Sequence, residues 1–218
     1  MIMCARARRR HGGKPMIVGL TGSIAMGKTT AATMLRRLGV PVFDADAAIH
    51  RLTRPKGPAI DAIAQRFPGT VTEGILDRRA LGAQVFADRA RLRDLERLLH
   101  PHVARERRAW LDRQRRAGRA TVILDIPLLF ETGGERACNA VWVVTAPAFL
   151  QRQRALRRPG MTAERLGGVL ARQTPDAVKR RRADVILPTG LGHRETLRRI
   201  VKSLKLLGRR PGKASPRA

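Results

Sequence analysis

Gly22-Ser23-Ile24-Ala25-Met26-Gly27-Lys28-Thr29 fits the pattern G-x-x-x-x-G-K-[ST]. The apolar run Ile17-Val18-Gly19-Leu20 precedes it, and apolar or small residues at helical spacing follow over 30–38, so the context is strand, loop and helix. Successive backbone N–H groups of such a loop curl round a β-phosphate, while the helix behind it turns its positive end toward the anion. Glycine permits the turn, which gives Gly22 and Gly27 backbone duties. Lys28 is placed to reach β- and γ-phosphate oxygens, and the Thr29 hydroxyl to ligate a Mg²⁺ ion bridging them. ATP and Mg²⁺ are therefore the expected ligands.

Short apolar runs alternate with helical patterns along the rest of the chain, which predicts an α/β fold with a parallel sheet flanked by helices. The predicted strands are 16–20, 40–43, 121–126, 140–145 and 184–187. The first helix stops at Gly39, a preferred residue just past a helix end. Residues 47–118 hold no strand of comparable quality and read as an Arg-rich helical excursion, with helices over 88–99 and 103–116. A second excursion covers 147–182, where Pro147 starts a helix, Pro159-Gly160 breaks the pattern and Thr162 caps a further helix toward Arg172. The predicted division is a core of 16–46, 119–146 and 183–207, an insertion at 47–118 and a segment at 147–182. Residues 1–15 are basic, without acidic residues or apolar periodicity, and read as a disordered arm with Met16 as an alternative start. Residues 208–218 read as a basic tail.

The 218 residues are 43% hydrophobic and 28% charged, which suits a globular domain rather than a disordered chain. The nearly apolar stretch 140–150 is broken by Thr145 and Pro147 and falls short of the ~20 residues a membrane span takes. Arg6 to Arg10 are followed by His11-Gly12-Gly13-Lys14-Pro15 where an export signal would turn apolar. Two cysteines, Cys4 and Cys138, cannot build a disulfide framework or a four-cysteine zinc site, so a reducing cytoplasm is expected. The outlying feature is charge: 45 basic residues against 17 acidic ones leave +28. That directs attention to polyanions, either nucleic acid or phosphorylated small molecules. No Tyr, two Trp and five Phe leave no aromatic and basic interleaving for base stacking, so nucleic acid is not expected as the main partner.

Asp44 and Asp46 follow the second predicted strand, where open α/β sheets place ligands. Residues two apart on a strand share a face. One carboxylate could then take a proton from an acceptor hydroxyl while the other holds Mg²⁺ through water; Asp46 could alternatively cap the helix from Ala47. Arg154 and Arg158 lie one helical turn apart and suit either a clamp over phosphates or a solvated face. His100-Pro101 could end a helix, and Asp77-Arg78 could start one or contact an acceptor. Asp125, ending an apolar strand, is a further metal candidate, whereas His50 and His102 have no partner at metal-ligand spacing.

Gly19-Leu20-Thr21-Gly22, Asp44-Ala45-Asp46, Leu76-Asp77-Arg78, Leu95-Glu96, His100-Pro101, Pro127-Leu128-Leu129-Phe130-Glu131, Gln151/Arg154/Arg158, Gln173 and Ala183-Asp184-Val185-Ile186 occur in this order. Together they make the chain resemble the dephospho-coenzyme A kinase family from about Met16 to Leu207. The resemblance implies a three-layer P-loop fold with a five-stranded parallel sheet, a helical substrate domain and a lid. It implies ATP-dependent phosphorylation of the ribose 3′-hydroxyl of dephospho-coenzyme A. Carried onto this sequence, it makes Asp46 the base, with Lys28 and Arg158 also catalytic. Gly22, Ala25, Met26, Gly27, Lys28, Thr29, Thr30, Arg154 and Arg158 bind ATP. Asp44, Asp46, Asp77, Arg78 and His100 meet the acceptor, and Thr29 and Asp44 the metal. Departures from the family pattern are Ser23, Ala25 and Met26, in place of two glycines and a serine, and Pro188 in place of asparagine; Ala25 and Met26 are expected to contribute backbone N–H groups. Two other readings stand beside this one: a nucleoside- or nucleotide-type kinase, and a basic P-loop protein that binds nucleic acid.

Overall fold

The computed structural model describes residues 14–86 and 88–207. The predicted tail and most of the predicted arm lie outside these residues. The chain divides into two compact units, one of 1–43 and 114–218, the other of 44–113.

The first unit is built on β1 (Met16–Thr21), β2 (Val42–Asp44), β5 (Thr121–Asp125), β6 (Ala140–Thr145) and β7 (Val185–Pro188), in the order β2-β5-β1-β6-β7. The β1 ladders are parallel, with Val18 opposite Ile123 on one side and Ala140 on the other. Parallel strands covered on both faces need near-continuous apolar sequence, and β5 and β6 are buried almost throughout. Alternation sorts the side chains. Val18, Leu20, Trp142 and Val144 pack with Ala31, Ala32 and Leu35 of α1 (Lys28–Arg37) and with Ile200 and Leu207 of α9 (His193–Leu207). Val141 and Val143 point the other way, toward Leu129 and Phe130. The five predicted strands are all present, each within two residues of its expected ends, and α1 stops before Gly39.

The segment after β6 carries α6 (Ala148–Leu156), α7 (Ala163–Ala171) and α8 (Asp176–Arg181). Pro147 stands at the N-cap of α6, and the Thr162 side chain accepts the Arg165 N–H at the start of α7, as the sequence predicts.

The second unit holds α2 (Ala45–Leu52), α3 (Ile60–Arg66), α4 (Arg78–Phe86) and most of α5 (Arg89–Arg116). Its core joins Leu52, Ile63, Phe67, Leu81 and Val85. One element here was not foreseen, and one expectation fails. A strand pair is present, β3 (Val71–Thr72) and β4 (Ile75–Leu76), closed by Glu73 at φ 51° and Gly74 at φ 75°. Both central residues of the turn are left-handed, the geometry that matches strand twist in a tight hairpin. Pro101 does not end a helix; it lies inside the 28-residue α5. Proline removes one backbone hydrogen bond, but Leu92, Leu95, Leu98, Leu99 and Val103 pack on the same core from both sides of it. Packing of that apolar face outweighs the lost bond.

A phosphate loop and two acidic helix starts

The chain leaves β1 at Thr21 and enters α1 at Lys28 through two backbone constraints. A Cβ at Gly22 would lie 2.3 Å from Val144 Cγ2 and 2.7 Å from its carbonyl oxygen. Gly27 has φ 88°, and a Cβ there would lie 2.9 Å from Thr189 Oγ1. Neither position admits a side chain without displacing β6 or the loop after β7. Ala25 is also left-handed, at φ 60°, a conformation costing an L-residue about 1–2 kcal/mol. The Ala25 side chain is buried with Ala155 and Leu166, so neighbouring packing holds what the backbone disfavours.

The N–H groups of Ala25, Gly27, Lys28, Thr29 and Thr30 take no backbone partner among the described residues. With the N-terminus of α1 behind them, they are free to receive an anion. Met26 departs from expectation, because its N–H is spent on Ser23 O at 3.1 Å, closing a turn inside the loop. Its buried sulfur accepts the Ala146 N–H at 3.0 Å, and its carbonyl accepts the Thr189 hydroxyl at 2.7 Å. Met26 therefore fastens the loop to the sheet.

Lys28 Nζ lies 2.5 Å from Asp125 Oδ1, and the Asp125 side chain is only 4% exposed. A buried carboxylate demands a cation, so the two expected site residues meet as an ion pair at the end of β5. Thr29 is exposed and follows Lys28 on the first turn of α1. A hydroxyl and a carboxylate fit Mg²⁺, which takes one or two protein oxygens and fills its octahedron with waters and substrate phosphates. Among the described residues there is no cluster of three or more His, Cys, Asp or Glu to form an all-protein cage.

Arg154 donates to Thr189 O at 3.0 Å and to its Oγ1 at 3.3 Å. Arg158 is exposed just beyond α6. Farther along, Glu131 accepts the Thr174 N–H at 2.7 Å and lies 3.0 Å from the fully buried Lys179 ammonium, an ion pair without hydrogen-bond alignment. Burial pushes the Glu131 carboxyl up, and the Lys179 charge and the Thr174 N–H together outweigh it, leaving the group below its ordinary 4.5. A lowered folded-state value means this carboxylate stabilises the fold above the unfolded pKa and loses that contribution as pH falls through the folded one. Glu131→Gln should cost about 3 kcal/mol at neutral pH, because Lys179 is left buried without its anion. The gap from wild type should narrow as pH drops below 4.5. Urea unfolding between pH 3 and 7 measures this, and a gap independent of pH would contradict it.

In the second unit Asp44 caps α2, its Oδ1 accepting the Ala47 N–H at 2.9 Å. The expected pair on one strand face is thus corrected: β2 ends at Asp44, and Asp46 lies exposed in the first helical turn. Nor is Asp46 the cap. A short acceptor side chain just before the first turn captures a free N–H, and Asp44 occupies that place. Asp77 similarly opens α4, accepting the N–H groups of Arg79 at 2.8 Å and Ala80 at 3.0 Å. Arg78 reaches Thr53 Oγ1 at 3.0 Å and His50 Nδ1 at 3.4 Å. His100 is exposed on α5 and has no hydrogen bond or ion pair to Asp77 or Arg78 among the described residues.

Sequence reasoning missed Thr189 as the anchor of the loop, and it assigned no contact to Gln151 or Gln173. Gln151 Nε2 donates to Ile24 O at 2.9 Å, and Ile24 N–H donates to Gln173 Oε1 at 3.0 Å. Pro188 ends β7 and Thr189 follows it, in a stretch whose one cue is a hydroxyl next to a glycine.

A model of the dephospho-CoA kinase family matches residues 16–192. A protein of Rhodospirillum rubrum named dephospho-CoA kinase is 56% identical over 193 residues, covering 88% of this chain and 91% of the relative. One of Paramagnetospirillum magneticum with the same name is 60% identical over 164 residues, 75% of this chain and 77% of the relative. The crystal structure of TT1252 from Thermus thermophilus superposes with a TM-score of 0.78 at 36% identity, over 89% of this chain and 98% of the other.

Proposed function

The chain belongs to the dephospho-CoA kinase family, and on that premise we propose that it moves the γ-phosphoryl group of Mg²⁺-ATP to the ribose 3′-hydroxyl of dephospho-coenzyme A. The products are coenzyme A and ADP, at the last step of coenzyme A synthesis, in the cytoplasm. The observation that carries the reading is the phosphate loop. Five backbone N–H groups without backbone partners, an adjacent lysine and an exposed threonine are gathered at one helix start, in a chain whose relatives bear that name.

Phosphoryl transfer asks a protein mainly for positioning and for charge opposite the transferring oxygens. The loop N–H groups hold the β-phosphate, and Lys28 supplies the cation, kept ready by Asp125. Mg²⁺, when bound, would supply countercharge to the phosphates. Thr29 and Asp125 would hold it; Asp44 is the further carboxylate candidate, with Oδ1 already committed to capping α2. Asp46 orients the acceptor hydroxyl and collects its proton. Arg154 and Arg158 serve the nucleotide side, and Asp77, Arg78 and His100 the acceptor side. Residues 147–182 act as the lid and 47–118 as the acceptor-binding insertion.

The test is a panel of acceptors with ATP, with and without Mg²⁺. Dephospho-coenzyme A should be phosphorylated with kcat/KM at least a hundredfold above any nucleoside or nucleotide, and only with Mg²⁺. A nucleoside preferred over dephospho-coenzyme A would favour the nucleoside-kinase reading, and ATP hydrolysis stimulated by RNA or DNA alone would favour the nucleic-acid one.

A further inference from the structure

Ile24, in the middle of the phosphate loop, is bracketed by two glutamines. Its N–H donates to Gln173 Oε1 at 3.0 Å and its carbonyl accepts from Gln151 Nε2 at 2.9 Å. Gln151 is 8% exposed and sits on α6. Gln173 follows α7, and its neighbour Thr174 is tied through its N–H to Glu131, the partner of buried Lys179. The next loop residue, Ala25, holds a left-handed backbone without being glycine, its Cβ packed with Ala155 of α6 and Leu166 of α7.

These contacts have one physical consequence. A loop containing a non-glycine residue in a disfavoured conformation relaxes unless its surroundings over-determine it. Here both hydrogen-bonding groups of the preceding residue are fixed by side chains, and the side chain of the disfavoured residue is packed. We propose that Gln151 and Gln173 are positioning residues that hold the phosphate loop in its nucleotide-receiving shape, tying it to the segment of 147–182. Gln151 also lies three residues before Arg154, so its bond to Ile24 turns that face of α6 toward the loop. The assignment rests on reading the loop as the ATP site.

The test uses the full chain and ADP as probe, followed by calorimetry. Gln173→Met and Gln151→Met keep side-chain length but remove the amide oxygen that accepts from Ile24 and the amide nitrogen that donates to it. Each should weaken ADP about tenfold, the equivalent of about 1.4 kcal/mol. KM for ATP should rise with it, while KM for dephospho-coenzyme A stays within twofold. Adding Ala25→Gly to Gln173→Met should recover at least threefold of the lost ADP affinity, because glycine takes φ near +60° without strain. A merely structural role for the glutamines would not produce that rescue. Should Gln173→Met fail to fold, Gln151→Met carries the same expectation. Folded variants that bind ADP as tightly as wild type overturn the proposal. Wild type that does not bind ADP at all overturns the reading of the loop, and the proposal with it.

Discussion

Lys28→Ala should lower kcat by at least a hundredfold and destabilise the protein together, a combination that follows from its pairing with Asp125. Removing one preorganised cation or donor from a site where charge develops costs about 100- to 1,000-fold in rate. Asp125, 4% exposed and 2.5 Å from the ammonium, would be left as a buried charge without this partner, a change that costs about 3–5 kcal/mol where a buried pair is broken. The two effects separate in the double variant. Lys28→Ala with Asp125→Asn should recover much of the stability, because the neutral amide is cheaper to bury, and none of the rate. Urea unfolding and steady-state kinetics on the two proteins decide it. Wild-type turnover in Lys28→Ala would remove the lysine from the mechanism, and equal stability of the single and double variants would remove the ion pair from the fold.

Asp46→Asn should lower kcat by about 100- to 10,000-fold, the range of a general base and equivalent to about 3–5 kcal/mol in the transition state. ATP affinity should be nearly unchanged, since Asp46 belongs to the first turn of α2 and not to the phosphate loop. The helix should persist, because the capping bond to Ala47 comes from Asp44. Asp44→Asn keeps an acceptor oxygen at the cap and should therefore preserve stability within about 1 kcal/mol. Its kinetic effect should be a shifted Mg²⁺ dependence. Near-normal kcat in Asp46→Asn would move the base elsewhere, Asp44 first.

The sheet and the loop were legible because their physics is local. Apolar runs such as 121–125 and 140–145 have few alternatives to a covered parallel strand, and the spacing from Gly22 to Thr29 states a strand-to-helix turn around an anion. The division of roles between the aspartates was half legible. Two carboxylates after a strand were visible, but the strand stops at Asp44 because its carboxylate captures the Ala47 N–H and starts the helix there. The β3 and β4 hairpin escaped notice because two-residue strands carry no periodicity; Glu73-Gly74 between Thr72 and Ile75 was its one signal. Pro101 misled for the opposite reason, since a strong local breaker is overruled by Leu92, Leu95, Leu98 and Leu99 packing before it and Val103 after it. The glutamine contacts to Ile24 span 127 and 149 residues. No spacing rule reaches that far.

The central claim is that the γ-phosphoryl group of ATP goes to one hydroxyl of one acceptor. The most direct measurement incubates the enzyme with Mg²⁺-ATP and either dephospho-coenzyme A or its 3′-deoxyribose analogue, and locates the new phosphate by phosphorus NMR and mass spectrometry. The account predicts stoichiometric coenzyme A with a 3′-phosphomonoester from the first acceptor and no phosphorylated product from the second. A phosphorylated product from the 3′-deoxy analogue, or no transfer to dephospho-coenzyme A by folded, ATP-binding protein, would contradict it.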